Sequence, residues 1–573
     1  LIIFFFQLAK NNGNKYRMYF SFLSRGGHMK RIFIAAALTA GLSGTSMAAE
    51  FQPMGALGIG GAGVARIVNG YAPYWNPAGL AFNDQSVSVP LDVSVGLRVS
   101  KGLADNVDKL GKYTEKDPVT GKTAFDSFKD VGSTLPLDQQ AKAVANAVGI
   151  LTIFKDIKAQ NGTISLNANA VLGLQISHFG TGVFGSMEGF AQALPDLDNI
   201  LPGQTTSTTS STLRNDLFNA VKGQPTTLTA ATQSYFTTAQ ITDITNALNT
   251  NGVVNTAAQP NLQTQIINAI GSNLATAGGA GSNIPAVSSS AAAQTITQTL
   301  APALSATSTA NSIDNNKSGI LVKSLAFVEI PLSYGHPLDL GTSGKLGLGI
   351  TGKVISGRVY QTRLQIFEKD ATGSTTSTSS NDISKSFRES YEETTNLTFD
   401  LGAFYKYSDW FNFGLVAKNL TSPKFKSPLL KNQNGALVDA KGNTVTVGVR
   451  DADVTIKPQL RTGIALDPLS WLTLAADLDL TENESILTGL GYKSRNLGGG
   501  VEFHPGRWFK LRGGMYKNLA NNDVGPVATA GLTFGLPWLN LEVDGAYGLE
   551  TSQFKDKNYP REARVQAQLN IQY

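Results

Sequence analysis

The chain of 573 residues contains no cysteine. That excludes a disulfide framework, a thiol nucleophile and thiolate zinc sites. Histidine is nearly as scarce, at four. Charge is thin as well: 16% of residues are Asp, Glu, Lys or Arg, against about 25% in ordinary soluble domains. The formal charge of +5 does not point to a nucleic-acid partner, because its source is local. Lys10, Lys15, Arg17, Arg25, Lys30 and Arg31 stand in the first 48 residues with no acid among them, and beyond Ala48 acidic residues outnumber basic ones by one. Long apolar runs are missing too. After residue 48 nothing approaches the ~20 apolar residues of a spanning helix, so a membrane crossing would have to use strands.

What is present begins with a leader. From Met29 the chain reads Lys30 and Arg31, an apolar stretch from Ile32 to Leu42, and Ser46-Met47-Ala48 as a small-x-small cleavage site. This predicts a secretory signal peptide over 29–48. Residues 1–28 open on Leu1 and read as an over-extended start.

The dominant pattern after the leader has period two. In "SVSVPLDVSVGLRV" (Ser86 to Val99), Val87, Val89, Leu91, Val93, Val95, Leu97 and Val99 share one face, and Ser88, Pro90, Asp92, Ser94, Gly96 and Arg98 the other. Such alternation makes a strand with one apolar and one polar face. The last ten residues repeat it: Val565, Ala567, Leu569, Ile571 and Tyr573 alternate with Gln566, Gln568, Asn570 and Gln572. Soluble sandwiches show the same alternation, but these runs are mostly longer than the 5 or 6 residues typical of soluble strands. They match the 9–11 residues of a strand that crosses a bilayer. Only closed barrels and helices satisfy backbone groups in lipid. The chain also ends on an aromatic residue in register with its apolar face, so Leu569, Ile571 and Tyr573 are candidates for a C-terminal signal read by barrel assembly machinery.

The connections alternate as well. "YSDWF", "DPLSW", "HPGRW" and "GLPWL" are short and each carries a Trp (Trp410, Trp471, Trp508, Trp538), whereas the connections between them are polar and mostly longer. One short-turn rim with interfacial Trp and one long-loop rim are what a barrel in an outer membrane requires. Strands are expected at about 85–99, 163–179, 183–193, 321–336, 344–367, 393–407, 411–424, 453–467, 471–481, 486–504, 508–517, 525–535, 538–549 and 561–573, an all-β antiparallel transmembrane barrel of about 14 strands. In 486–504 the alternation changes phase near "SRNLGGG", which predicts a bulge.

Two insertions break the meander, at about 100–162 and 194–320. Between Gly223 and Ile313 the only charged residue is Asp243. Leu213, Leu217, Phe218 and Val221, and Leu262, Ile266, Ile267, Ile270 and Leu274, recur at helical spacing. They predict short amphipathic helices over the outer mouth, joined by flexible stretches such as "SSSAAAQT".

Gly58, Gly60 and Gly63 have the G-x-G-x-x-G spacing of a dinucleotide site. The context does not fit. The cleavage site lies about ten residues upstream, leaving no room for the βαβ unit such a site needs, and "YAPYWNPAGLA" has two prolines and cannot supply the following helix. Glycines and a Pro-bearing turn instead suit a segment where backbones approach closely. The glycine-rich "ALGIGGAGVA" followed by "NPAGLA" at Asn76 to Ala81 resembles the N-terminal hatch of FadL-type long-chain fatty-acid transporters. "FGLVAKNL", "WLTLAADLDLTENE", "VEFHPGRWFKLRGGMY" and "ATAGLTFGL" are similar to a branch of that superfamily labelled conjugal transfer protein TraF-like. The resemblance covers the hatch and about 393–573. It implies a hatch over 49–84 inside a barrel over 85–573, with Asn76, Pro77 and Ala78 anchoring it alongside the three glycines.

The resemblance further implies passive transport or binding of hydrophobic compounds such as long-chain fatty acids across the outer membrane. The alternative is an outer-membrane part of a conjugal transfer or secretion apparatus, or a surface scaffold. Outer-membrane lipid, the assembly machinery and a hydrophobic small molecule are the expected partners, with no nucleic acid, cofactor or metal. An enzyme is not expected. His178, His336 and His504 sit near strand ends and read as rim residues rather than a lipase base, and Asp477 and Asp479 read as residues that keep a lumen-facing side wet.

Overall fold

A computed structural model describes residues 50, 52–83, 86–113, 115, 123–124, 136–201, 210–254, 259–279, 285–305, 311–312, 316–365, 389–484, 493–506, 508–536 and 538–573, besides a small hairpin of Gln7–Asn11 and Lys15–Tyr19. The expected signal peptide at 29–48 and the hatch limits Ala49 and Asp84 lie outside the described residues.

Fourteen antiparallel strands close into a barrel. In chain order they are β1 (Val87–Val99), β2 (Thr163–Ile176), β3 (Phe179–Leu194), β4 (Gly319–Asp339), β5 (Lys345–Gln365), β6 (Tyr391–Ser408) and β7 (Phe411–Lys418). Then follow β8 (Gln459–Leu469), β9 (Leu472–Asp479), β10 (Asn496–Gly506), β11 (Phe509–Asn518), β12 (Val527–Leu536), β13 (Leu539–Gly548) and β14 (Glu562–Gln572). Each pairs with its chain neighbours, and β14 returns to β1 with Leu569 opposite Leu91 and Ile571 opposite Val89. The expected strand number and order are those observed.

The period-two pattern places apolar residues outward. Val93 is 60% exposed and Val565 62%, whereas Asp92, Ser88, Gln566 and Arg98 are buried. A soluble sheet would bury the opposite face. Here the apolar face points outward, the arrangement of a barrel whose outer wall is made for lipid, and the polar face lines a filled interior. All four turn tryptophans, Trp410, Trp471, Trp508 and Trp538, are exposed on the short-turn rim. Tyr573 lies there too, its N–H donating to Val87 O at 2.9 Å.

Three strand limits differ from expectation. β7 stops at Lys418 and β8 begins only at Gln459, because the chain between them folds inward. In β10 the expected bulge near "SRNLGGG" is absent from the ladder: Leu497 to Phe503 pair regularly with β9. The change of phase marks the start of the strand at Asn496, and 485–492 lie outside the described residues.

The insertions are helical at the long-loop end. α1 (Leu103–Tyr113) and α2 (Leu137–Ala159) come from the first; α3 (Ser210–Val221), α4 (Ala230–Tyr235), α5 (Thr238–Thr250), α6 (Leu262–Ala275) and α7 (Ser289–Thr295) come from the second. α2 is buried on nearly every side. Val144, Val148 and Leu151 of α2 join Leu217, Ile244, Ile266, Ile270 and Ile296 in one apolar core. "SSSAAAQT", expected to be flexible, is α7: Ser288 Oγ caps it by accepting from Ala291 N at 3.3 Å, and Ala292 is buried. Ser and Ala look like linker composition, but a Ser N-cap ahead of alanines is a helix start.

The plugged lumen as candidate functional site

Residues 50–83 thread the inside of the barrel. Their order follows from short-range chemistry. Leu57–Ile59 make one 3₁₀ turn closed by Gly60 in the left-handed conformation (φ 69°). Ala72–Trp75 make a single α-turn, and Pro77–Phe82 a second 3₁₀ turn. A helix over "YAPYWNPAGLA" was not expected; one turn is possible because Pro73 falls in the first turn, where its missing N–H costs no bond.

The three motif glycines lie where plug backbone meets wall. A Cβ on Gly60 would come within 2.6 Å of Met515 O, and one on Gly58 within 2.7 Å of Asp544 Oδ1. Gly63 lies under the Trp75 ring, where a Cβ would stand 2.5 Å from Cδ2. Opposite Gly60 the wall carries Gly498, Gly499 and Gly514, so backbone approaches backbone from both sides.

Asn76 is fully buried and uses both ends of its amide. Its Oδ1 accepts from Ala78 N at 3.1 Å, capping the turn that Pro77 opens. Its Nδ2 donates to Val64 O at 3.2 Å within the plug and to Ala403 O of β6 at 3.0 Å. Pro77 and Ala78 lie against Gly349 and Gly402 of the wall. The structure therefore brings Gly58, Gly60, Gly63, Asn76, Pro77 and Ala78 together in one segment.

Polar residues on the in-facing strand positions hold the plug. Asp477 is more than a wetting residue: its Oδ2 accepts from Gly63 N (2.8 Å) and Val64 N (3.0 Å), and it pairs with Arg461 at 3.3 Å. Arg461 also pairs with Asp479 at 3.1 Å and donates to Gly61 O at 2.8 Å. On the other side Arg66 meets Glu502 at 3.2 Å, Gly55 N donates to Asp92 at 3.0 Å, and Tyr71 OH to Gln568 at 3.1 Å. Lys418 donates to Tyr74 O at 2.7 Å with its ammonium 3.7 Å from the Tyr74 ring. Burial pushes the Tyr71 and Tyr74 hydroxyls up, reinforced at Tyr71 by the Asp92 carboxylate, so both act as neutral donors.

Glu50, at the head of the plug, sits between Arg98 (3.1 Å) and Arg564 (3.6 Å). Burial alone would raise its carboxyl; the two guanidinium groups hold it below the ordinary value. A cavity of about 20 Å³ between Glu50, Gly60, Arg461 and Arg564 has room for a water rather than an organic ligand.

Further toward the long-loop end the in-facing surface changes character. Phe184 stacks on Tyr74 of the plug. Six residues on along β3, about 20 Å at strand rise, Phe190 joins Leu325, Phe327, Ile355 and Val359 in an apolar chamber. Phe425, Val454 and Ile456, from the chain between β7 and β8, fill it. Sequence reasoning missed the chamber. Its signal is strand segments apolar in both phases, such as "SLAFVEI". It also missed the anchoring partners of the plug, whose pairing depends on register: Arg461 lies directly opposite Asp479.

His178, His336 and His504 do not converge. His178 Nδ1 lies 3.0 Å from Leu80 O, His336 contacts Tyr334, and His504 lies by Thr473. Among the described residues no cluster of His, Asp and Glu suited to a metal was found.

A family model described as "F plasmid transfer operon, TraF, protein" matches residues 73–479. The match begins inside the plug and runs through both insertions to the end of β9, an extent different from the expected hatch plus 393–573. Among curated proteins none matches in sequence. Solved structures similar to this chain include the Pseudomonas putida toluene transporter TodX (10% identity, 92% of this chain and 97% of that one, TM-score 0.36). The Ralstonia pickettii toluene transporter TbuX (11%, 90% and 96%, TM-score 0.35) and a Pseudomonas aeruginosa FadL homologue (11%, 89% and 95%, TM-score 0.35) are others.

Proposed function

Because the chain belongs to the F plasmid transfer operon TraF protein family, we propose that it is an outer-membrane member of that family that passively admits hydrophobic compounds, with residues 50–83 as a hatch. The carrying observation is the apolar chamber of Phe190, Leu325, Phe327, Ile355 and Val359 on the lumen side of the wall, beyond the plug. A water-filled pore has no use for such a lining, whereas an apolar solute does. The hatch is held by hydrogen bonds and ion pairs rather than by covalent links, so it can shift without unfolding the wall. The long-loop rim then faces outward, with the helical insertions over it, and the Trp-bearing rim faces the periplasm.

Deletion of the gene tests this reading through uptake of long-chain fatty acids and hydrocarbons. Reduced uptake of at least one class supports it, and unchanged uptake across the panel contradicts it. A second reading, part of a conjugal transfer apparatus, is favoured by the family's description. Loss of mating with normal uptake in the same strain would select it.

A further inference from the structure

Between β7 and β8 the chain turns into the lumen. Lys424–Phe425 and Val454–Thr455 form a two-stranded antiparallel ladder against in-facing residues of β4, β5 and β6. Phe425 is fully buried and stacks on Phe327, ring centroids 6.2 Å apart and planes 8° from parallel. Gly357 makes room for that ring: a Cβ there would come within 2.6 Å of it. Asn396 Nδ2 donates to Lys424 O at 2.9 Å, and Lys426 N to Thr394 Oγ1 at 3.2 Å.

The segment also supplies a charge. The Asp451 carboxylate accepts from the Lys323 ammonium at 3.2 Å and from Gln361 Nε2 at 3.0 Å. Lys323 is 1% exposed and shares the in-facing side of β4 with Leu325 and Phe327, whereas Asp451 is 40% exposed. One excursion of chain thus presents a carboxylate to a buried cation and three apolar side chains to the adjoining apolar chamber.

We propose that this segment is a built-in occupant of an amphiphile site, and that a ligand with a carboxylate on an apolar body enters by displacing it. Its carboxylate replaces Asp451 at Lys323, and its body replaces Phe425, Val454 and Ile456. The reading rests on the channel function above and adds a second barrier, separate from the hatch. Charge sets the selectivity: an uncharged hydrocarbon or alcohol that expelled the segment would leave Lys323 buried without its counter-charge, which is strongly unfavourable. The two arms are tied to each other beyond the ladder (Ser427 Oγ donates to Ala452 O at 2.8 Å and Leu430 N to Val449 O at 3.1 Å) and to β5 at the far end (Arg363 N to Lys431 O, 2.8 Å). The excursion therefore opens as one hairpin hinged there while the barrel stays intact.

The absence of cysteine makes the test direct. Val454→Cys, buried at 4% exposure in the native residue, is introduced into the otherwise complete chain, and labelling by a maleimide is timed in detergent. Labelling is expected to be slow alone and about tenfold faster with saturating dodecanoate, the response of a mostly closed equilibrium shifted by ligand. Dodecanol is expected to accelerate it little, and Phe425→Ala combined with Val454→Cys to label fast without ligand. Binding is followed in parallel by displacement of a fluorescent fatty acid. Dodecanoate that binds without changing the labelling rate overturns self-occupancy and leaves the channel reading standing. Equal acceleration by dodecanol overturns the carboxylate assignment. No binding of dodecanoate to the native chain, to Phe425→Ala or to a chain lacking 50–83 overturns the amphiphile site, and the channel reading falls with it only where uptake across the whole panel is also unchanged.

Discussion

Gly60 is where plug and wall exclude any side chain, and it also adopts a left-handed φ that disfavours one. Gly60→Ala is expected to cost about 1–2 kcal/mol from backbone conformation alone, plus displacement of the plug from Gly499 and Met515. The conductance of the variant in planar bilayers should rise while its heat-modifiable barrel band persists in gels. Asp477→Ala should loosen the same segment, since it removes two acceptor bonds and leaves Arg461 with one carboxylate fewer. Breaking a buried pair of this kind costs about 3–5 kcal/mol. Glu50 sets a pH window. Its carboxyl is held below the usual 4.5, so its contribution is complete above that value and is lost as pH falls through the lowered one. Acidification through that lowered value should raise conductance in the native chain, and Glu50→Gln should flatten that response. At this scale the sequence revealed unusual glycines and the Asn-Pro-Ala turn. It did not reveal the partners, because Gly63 and Asp477 are joined only by the closed wall.

At the scale of elements, alternation alone carried the strands, since an apolar outer wall and in-facing polar positions that bond the plug backbone both enforce period two. Val93→Arg, on the outward face of β1, should destabilise the barrel by about 2–4 kcal/mol if it lies near the bilayer midplane. Urea unfolding in lipid vesicles measures this, and a loss much smaller than that would place the residue away from lipid. Where period two lapsed, sequence reasoning lapsed with it. The change of phase before β10 was a strand start and not a bulge, and α7 was hidden by linker-like composition. The β7–β8 connection was expected to be a polar loop with strand on both flanks; its in-folded ladder depends on Phe425 finding Phe327, about a hundred residues away in sequence.

For the whole molecule, the barrel was legible because closure, even strand number and alternating rims all leave marks in sequence. The contents of the lumen were legible only through resemblance, because burial inside a bore imposes no local period on residues 50–83. Removing those residues should leave a folded barrel, since the strand ladder closes without them through β14 and β1. The most direct test puts the complete chain and the chain lacking 50–83 into liposomes and follows entry of dodecanoate and of a disaccharide. The complete chain is expected to admit dodecanoate and exclude the sugar, and the shortened chain to admit both. Entry of the sugar through the complete chain, or exclusion of both solutes by the two chains alike, would contradict a plugged barrel that passes apolar compounds.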